Sequence, residues 1–307
     1  MTDVTRTLMF RDGVSSDNLP SMGASLSVVV PVYNEEEYIS DCLESLLQQG
    51  DDIAEILVVD NNSTDGTAEI IRDFERRSPK VRYLLETRQG VVFSRNLGFN
   101  SAQGDLIGRV DADTRVSAGW ASAVVEFFAA HEFDAVTGFS LFYDSPFVTV
   151  QRSAVAKQDA LGTFRGLKDA PSLTGSNMAI RKSAWSIVQD SVTDRTDFHE
   201  DVDLSYCLLG REMKFVQDLS MRAEVSGRRG ETGPIDFLSY NKASILTLKH
   251  HGAMTRRLRL MIFRSSILHA VLWPVYRMYD KDTDKLSLKR LFFRPSARQM
   301  PVDSGDR

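Results

Sequence analysis

Cysteine is scarce in this chain: only Cys42 and Cys207 occur among 307 residues. Both sit in helix-like stretches beside apolar neighbours, so free buried thiols are expected rather than a disulfide framework. No run of about 18 uninterrupted apolar residues exists, which argues against a membrane-spanning helix. The start, Met1 to Ser25, carries Asp3, Asp12 and Asp17 and lacks the basic, then apolar pattern of a signal peptide. A cytoplasmic protein is expected. Positive charge is not in excess, since the net charge is −5, and nucleic acid is not expected as a partner. Several phosphate and nucleophile signatures are missing too. No Gly-x-Gly-x-x-Gly follows the first apolar run, and there is no P-loop and no Gly-x-Ser-x-Gly elbow. The five histidines show no zinc spacing, and His250-His251 reads as a loop feature.

What is present is alternation. Leu26 to Val32 is a β-branched run suited to a strand buried on both faces. Ile39, Cys42, Leu43, Leu46 and Leu47 follow with helical spacing, and Gly50 ends that helix. Glu55 to Asp60 reads as a second strand, followed by capping residues and a helix with Ala68, Ile70, Ile71 and Phe74. Strands are expected at Val81–Leu85 and Asp105–Val110, and helices at Gly90–Ala102 and Trp120–Ala130. Strands alternating with helices predict an α/β fold with a mostly parallel sheet. Further on, strands are expected within Asp134–Tyr143, Leu173–Ile180 and Met213–Val216, with helices at Lys182–Gln189 and Asp201–Leu209.

Polar residues gather where ligands bind such sheets, beyond the carboxyl ends of the strands. The first strand runs into Tyr33-Asn34-Glu35-Glu36, the second ends at Asp60, and the fourth at Asp111-Ala112-Asp113. Each alone is well explained as a helix cap; three together are not. In extended backbone Asp111 and Asp113 point to one side, and two close carboxylates want a cation such as Mg²⁺ or Mn²⁺. A second acidic group, His199-Glu200-Asp201-Val202-Asp203, precedes a helix. It reads equally as a complement to the helix dipole or as a general base.

These residues resemble a known family. Val28 to Glu36, Val58 to Thr67, Ser94 to Gly98 before Gly104-Asp105, Asp111-Ala112-Asp113, Thr174 to Ala179 and Glu200-Asp201 follow in the order of inverting family 2 glycosyltransferases, which have the GT-A fold. The resemblance covers roughly residues 26–225. It implies a nucleotide pocket lined by Pro31, Tyr33 and Glu35, with Asp60 accepting from the uracil edge and Arg88 near the base. It implies that Asp113 binds the metal directly and Asp111 holds the ribose or a metal-bound water. Gly175, Ser176 and Asn177 would border donor sugar and acceptor, and Asp201 would be the base with Glu200 beside it. Arg109 departs from the pattern, standing where relatives have an apolar residue. The Gln-x-x-Arg-Trp motif of processive synthases is also missing; Ser226 to Gly230 stands in that region, so transfer of a single sugar is expected.

The organisation expected is a tail over 1–24, a GT-A domain over 25–235, a helical extension over 236–279 and a polar, mobile tail over 280–307. From Phe237 to Tyr279 there are seven Lys or Arg and no Asp or Glu. Within it, 254–279 reads as a helix packed on the domain, as a dimer contact, or as a membrane-surface helix. The last would make the protein peripheral on the inner face of the membrane and suit a lipid-linked or cell-envelope glycan acceptor. Pro274 is expected to break or kink this helix. Two other readings compete: a sugar nucleotidyltransferase, which wants a Gly-rich loop after the first strand, and a catalytically silent scaffold.

Overall fold

The computed structural model describes residues 24–293. The expected N-terminal tail, apart from Ala24, and the part of the expected C-terminal tail beyond 293 lie outside the described residues.

The first half builds as its apolar runs dictate. Strand β1 (Leu26–Val32) is buried throughout. It is followed by α1 (Ile39–Leu47), β2 (Glu55–Asp60), α2 (Thr67–Arg77), β3 (Val81–Leu85), α3 (Val91–Ser101) and β4 (Leu106–Arg109). These strands pair in parallel, with Val28 opposite Ile56 on one side and Gly108 on the other. Alternate residues feed two cores. Val28, Val30, Ile56 and Val58 pack with Ile39, Leu43 and Trp120, while Val29, Leu57 and Val59 pack with Phe99, Trp185 and Leu204. Each such side chain contributes about 1.5–3 kcal/mol by leaving water. Helix α3 lies close on β1: a Cβ at Gly98 would stand 2.3 Å from the Val29 side chain.

The second half is mixed. It contains β5 (Thr114–Val116), α4 (Trp120–Ala130), β6 (Ala135–Phe142), α5 (Val148–Ala160), β7 (Leu167–Lys168), β8 (Met178–Arg181), α6 (Lys182–Val188), α7 (Glu200–Leu209) and β9 (Phe215–Val225). The sheet order is β3-β2-β1-β4-β8-β6-β9-β5, with β7 also on β9. Strand β8 runs antiparallel to β4 and β6, and β9 is parallel to β6 but antiparallel to β5 and β7. The parallel expectation therefore holds for the first four strands and for the β6–β9 pair, while the other pairings of the second half are antiparallel. The strand expected over Leu173–Ile180 starts only at Met178, because a turn closed by Asn177 N–H to Thr174 O (3.0 Å) precedes it.

A 3₁₀ turn (Gly227–Glu231) leads to α8 (Pro234–His250) and α9 (Arg256–Met278). Pro274 does not end α9, which continues to Met278. Its ring costs one helical hydrogen bond, and contacts on both sides hold the segment: Trp273 Nε1 donates to Glu231 O (3.1 Å) and Tyr276 packs on Phe147. The described part of the expected polar tail forms β10 (Tyr279–Asp280), β11 (Lys285–Leu286) and α10 (Leu288–Phe293).

Candidate active site

A cavity of about 1070 Å³ opens at the carboxyl ends of β1 and β4. Its first wall is the loop after β1. Asn34 adopts φ 53°, a left-handed turn that asparagine tolerates. The loop is latched to the loop after β2: Asn34 N–H donates to Ser63 Oγ (3.0 Å), Thr64 N–H to Asn34 Oδ1 (2.8 Å) and Glu35 N–H to Thr67 Oγ1 (2.8 Å). Pro31, Tyr33 and Glu35 line the cavity as expected.

Asp60 and Arg88 are not among the lining residues. The Asp60 carboxylate accepts from Ser63 N–H (3.0 Å) and the Tyr83 hydroxyl (2.9 Å), which fixes the β2 turn. Arg88 forks onto Glu86 and lies over Phe93. Asn61 and Gln89 line the cavity instead, Asn61 bridging from Gly90 N–H (2.7 Å) to Arg88 O (2.7 Å).

The carboxylates after β4 carry cations already. Arg109, only 3% exposed, reaches Asp111 Oδ1 at 3.1 Å and Glu200 Oε1 at 2.6 Å. Arg228, from the 3₁₀ turn, reaches Asp113 at 2.7 Å and Glu35 at 2.8 Å, with its guanidinium over the Tyr38 ring. Tyr38 is held in turn by Lys281 Nζ (3.0 Å), from just beyond β10. Enclosure raises the Asp111 carboxyl above its ordinary value; Arg109 opposes this and the Asp113 carboxylate adds to it. Burial would also raise Glu200, but Arg109 and Arg95 outweigh it and hold that carboxyl low.

The facing wall comes from the turn before β8 and the start of α7. Gly175 N–H donates to Asp201 Oδ2 (3.0 Å). A Cβ at Gly175 would stand 2.2 Å from the Arg109 guanidinium, so glycine is required there. Gly175, Ser176, Glu200 and Asp201 all line the cavity. Asn177 does not: it is fully buried, accepting from Trp120 Nε1 (2.8 Å) and donating to Phe139 O (3.2 Å) and Met221 O (3.0 Å).

The helical extension expected over 236–279 lines the cavity: α8 and α9 form a wall through Phe237, Tyr240, Leu268, His269 and Leu272. Tyr240 contacts Arg229 through its hydroxyl. The signal available was the acid-free stretch from Phe237 to Tyr279. His251 is not a loose loop residue: its Nε2 meets Asp203 Oδ1 at 2.8 Å. Asp203, Cys207 and His251 bring ligand-type atoms within 4.8 Å. Their atoms are engaged, however, since Asp203 also accepts from Thr193 N–H (2.9 Å) and Cys207 Sγ donates to Ser191 O (3.3 Å). The group ties α8 to α7. Both cysteines are free and buried, and burial pushes the Cys207 thiol up to about 12.

Residues 27–187, more than half of the chain, match the sequence pattern described as Glycosyl transferase family 2. The chain belongs to glycosyltransferase family 2. As a family 2 glycosyltransferase it is 33% identical over 111 residues to the uncharacterized glycosyltransferase EpsJ of Bacillus subtilis strain 168, a match over 36% of this chain and 32% of that one. It is 34% identical over 124 residues to the glycosyltransferase GlyG of Streptococcus pneumoniae serotype 4, over 40% of this chain and 41% of that one. The chain thus spans less than half the length of these relatives. Among solved structures it resembles the mannosyltransferase PcManGT from Pyrobaculum calidifontis in complex with GDP-Man and Mn²⁺, with TM-score 0.55, 19% identity, and 82% and 76% of the two chains covered. It also resembles GalNAc-T7 with UDP, GalNAc and Mn²⁺, with TM-score 0.54, 15% identity, and 66% and 43% covered. The fold is GT-A.

Proposed function

We propose that this family 2 glycosyltransferase moves a single sugar from a nucleotide-sugar, of the UDP type, to a hydroxyl of a lipid-linked or cell-envelope glycan at the cytoplasmic face of the membrane. One observation carries the reading: a single cavity sets the Asp111, Asp113 and Arg228 cluster on one wall and Asp201 on the other. A nucleotide with a charged diphosphate suits the first wall, and a neutral acceptor suits the second.

Asp113 and Asp111 would hold Mn²⁺ or Mg²⁺. They fit such an ion, being close carboxylates after a strand that already draw Arg228 and Arg109 to them. Bound there, a divalent ion supplies positive charge for the leaving diphosphate. Arg228 and Arg229 add two guanidiniums to the same side of the cavity. The acceptor oxygen attacks the anomeric carbon from the face opposite the diphosphate, and its proton passes to Asp201. The carbon–oxygen bond to the diphosphate breaks as the new one forms, which inverts the centre. Gly175 N–H keeps the Asp201 carboxylate turned to the cavity. Arg109 holds Glu200 and Asp111 apart while neutralising both.

The test is thermal stabilisation against UDP-, GDP- and dTDP-sugars with and without Mn²⁺, repeated on Asp113→Ala. A shift that needs one nucleotide and the metal, and is lost in Asp113→Ala, supports the reading. Folded protein that responds to no nucleotide would instead be the silent scaffold. Release of pyrophosphate from a nucleoside triphosphate and sugar phosphate would mark a nucleotidyltransferase.

A further inference from the structure

Helix α9 is built inside out. Its inner side is polar and tied to the domain: Ser266 accepts from Asn241 Nδ2 (2.7 Å), His269 Nε2 donates to Thr232 O (2.8 Å), Trp273 Nε1 donates to Glu231 O, and the Tyr276 hydroxyl meets Ser145 Oγ (3.2 Å). Its outer side is apolar. Leu260, Met261, Phe263, Ile267, Leu268 and Val271 are all at least half exposed. None of the residues of α9 is fully buried. At 100° per residue these six fall on one face, with Arg256 and Arg257 at its N-terminal end and Arg264 within it. Exposed apolar faces of this extent mark interaction surfaces.

We infer that this outer face of α9 seats on an anionic lipid surface, with the helix lying in the interface rather than crossing it. By length and composition α9 could cross a membrane. The four inward polar contacts, spread from Ser266 to Tyr276, bind it to the catalytic domain and exclude that orientation. Charge selects the partner. Arg256, Arg257, Arg259 and Arg264 flank or enter the face, and no acid occurs from Phe237 to Tyr279. A second protein surface of mixed charge would not call for a one-signed rim, whereas anionic head groups do. The face is also continuous with the cavity. Leu268 belongs to both, and exposed Ile235 neighbours the cavity residues Asp236 and Phe237. Seating α9 therefore puts the cavity beside the head groups.

The experiment is co-sedimentation of the full chain with vesicles of phosphatidylcholine alone or mixed with phosphatidylglycerol, at low and high salt. Binding reads no chemistry, so it stands or fails apart from the proposed transfer reaction. The wild type is expected to sediment with the phosphatidylglycerol vesicles only, and salt should release it. Replacing Arg256 and Arg257 with Gln should weaken partitioning by roughly thirtyfold. The Leu260→Glu/Phe263→Glu/Ile267→Glu variant should stay in the supernatant while keeping its circular-dichroism melt and its donor-induced thermal shift. Wild-type protein that ignores both vesicle types overturns the inference. So does light scattering that shows a dimer which the triple variant disperses, because the face would then be covered by a second copy.

Discussion

Arg109 shows how much one residue can organise. It sits in β4, where an apolar side chain would normally fill the core, and it joins Asp111 on one wall of the cavity to Glu200 on the other. Removing it leaves the buried Glu200 carboxylate without its ion-pair partner and with Arg95 as its main remaining cation. Asp111 is 35% exposed and can recover some hydration, so Arg109→Met should cost near the lower end of about 3–5 kcal/mol, read from the urea midpoint. An unchanged midpoint would mean the network is slack. Asp201→Asn belongs to a different kind. It keeps an oxygen for Gly175 N–H but cannot take a proton, so transfer should fall by about 10²–10⁴ while the donor-induced thermal shift persists. Asp111 and Asp113 stood out in the sequence because polar residues at three strand ends are unusual as a set, whereas Asp201 was singled out only by the family resemblance, since an acid at a helix start reads equally as a complement to the dipole. Asn177 was legible as a motif member only. Its three partners, on Trp120, Phe139 and Met221, lie far away in the chain. Asn177→Ala should lower the melting temperature, equivalent to roughly 1–3 kcal/mol for the groups left unpaired, and leave donor affinity in place.

At the scale of elements, the start of β2 is held by Glu55. Its carboxylate accepts from Ser27 Oγ (2.7 Å), Gln103 N–H (2.6 Å) and Arg82 (2.6 Å), which links β1, β3 and the turn before β4. Burial alone would raise this carboxyl; the bonds from Gln103, Ser27 and Arg82 overcome it and hold the group low. A depressed folded value means the unfolded chain binds the proton more readily. The stabilisation is therefore full above the unfolded value of about 4.3 and is lost as pH falls through the folded value. Melting scans in the acid range should show Glu55→Gln losing less stability on acidification than wild type; parallel curves would remove Glu55 from the account. The parallel half of the sheet was readable because each strand is a short apolar run between capping residues. The second half was not. Strand β5 has three residues, α5 buries none of its side chains fully, and β9 carries Asp218 and Glu224 inside an eleven-residue strand. Pairing to distant partners, rather than local pattern, makes those elements. Helix α9 was readable as a helix over 254–279, but its apolar side faces out, so its composition alone left open whether the domain, a second copy or a membrane covers it.

For the whole molecule, the cavity draws on residues from Pro31 to Tyr276, so a ligand that fills it should stabilise the chain as one unit. At a hundredfold excess over Kd the gain is about 2.7 kcal/mol, a rise of roughly 4 °C for a chain of this size. Calorimetry should show one sharpened transition; a second transition that ignores ligand would place α8 and α9 in a separate unit. The contact of Lys281 with Tyr38 has a consequence for the order of synthesis. Tyr38, in the loop after β1, leaves the ribosome well before Lys281, which lies 243 residues further along the chain. At about 5–20 residues per second the parallel strands would wait roughly 10–30 s for that lysine. For the first part of this interval Arg228 is absent too, and the carboxylates that gather the cation cluster stand without it. A nascent chain would hold the parallel half of the sheet and an open, acidic mouth, and would close that side of the cavity only when Arg228, helix α9 and the β10 hairpin arrive.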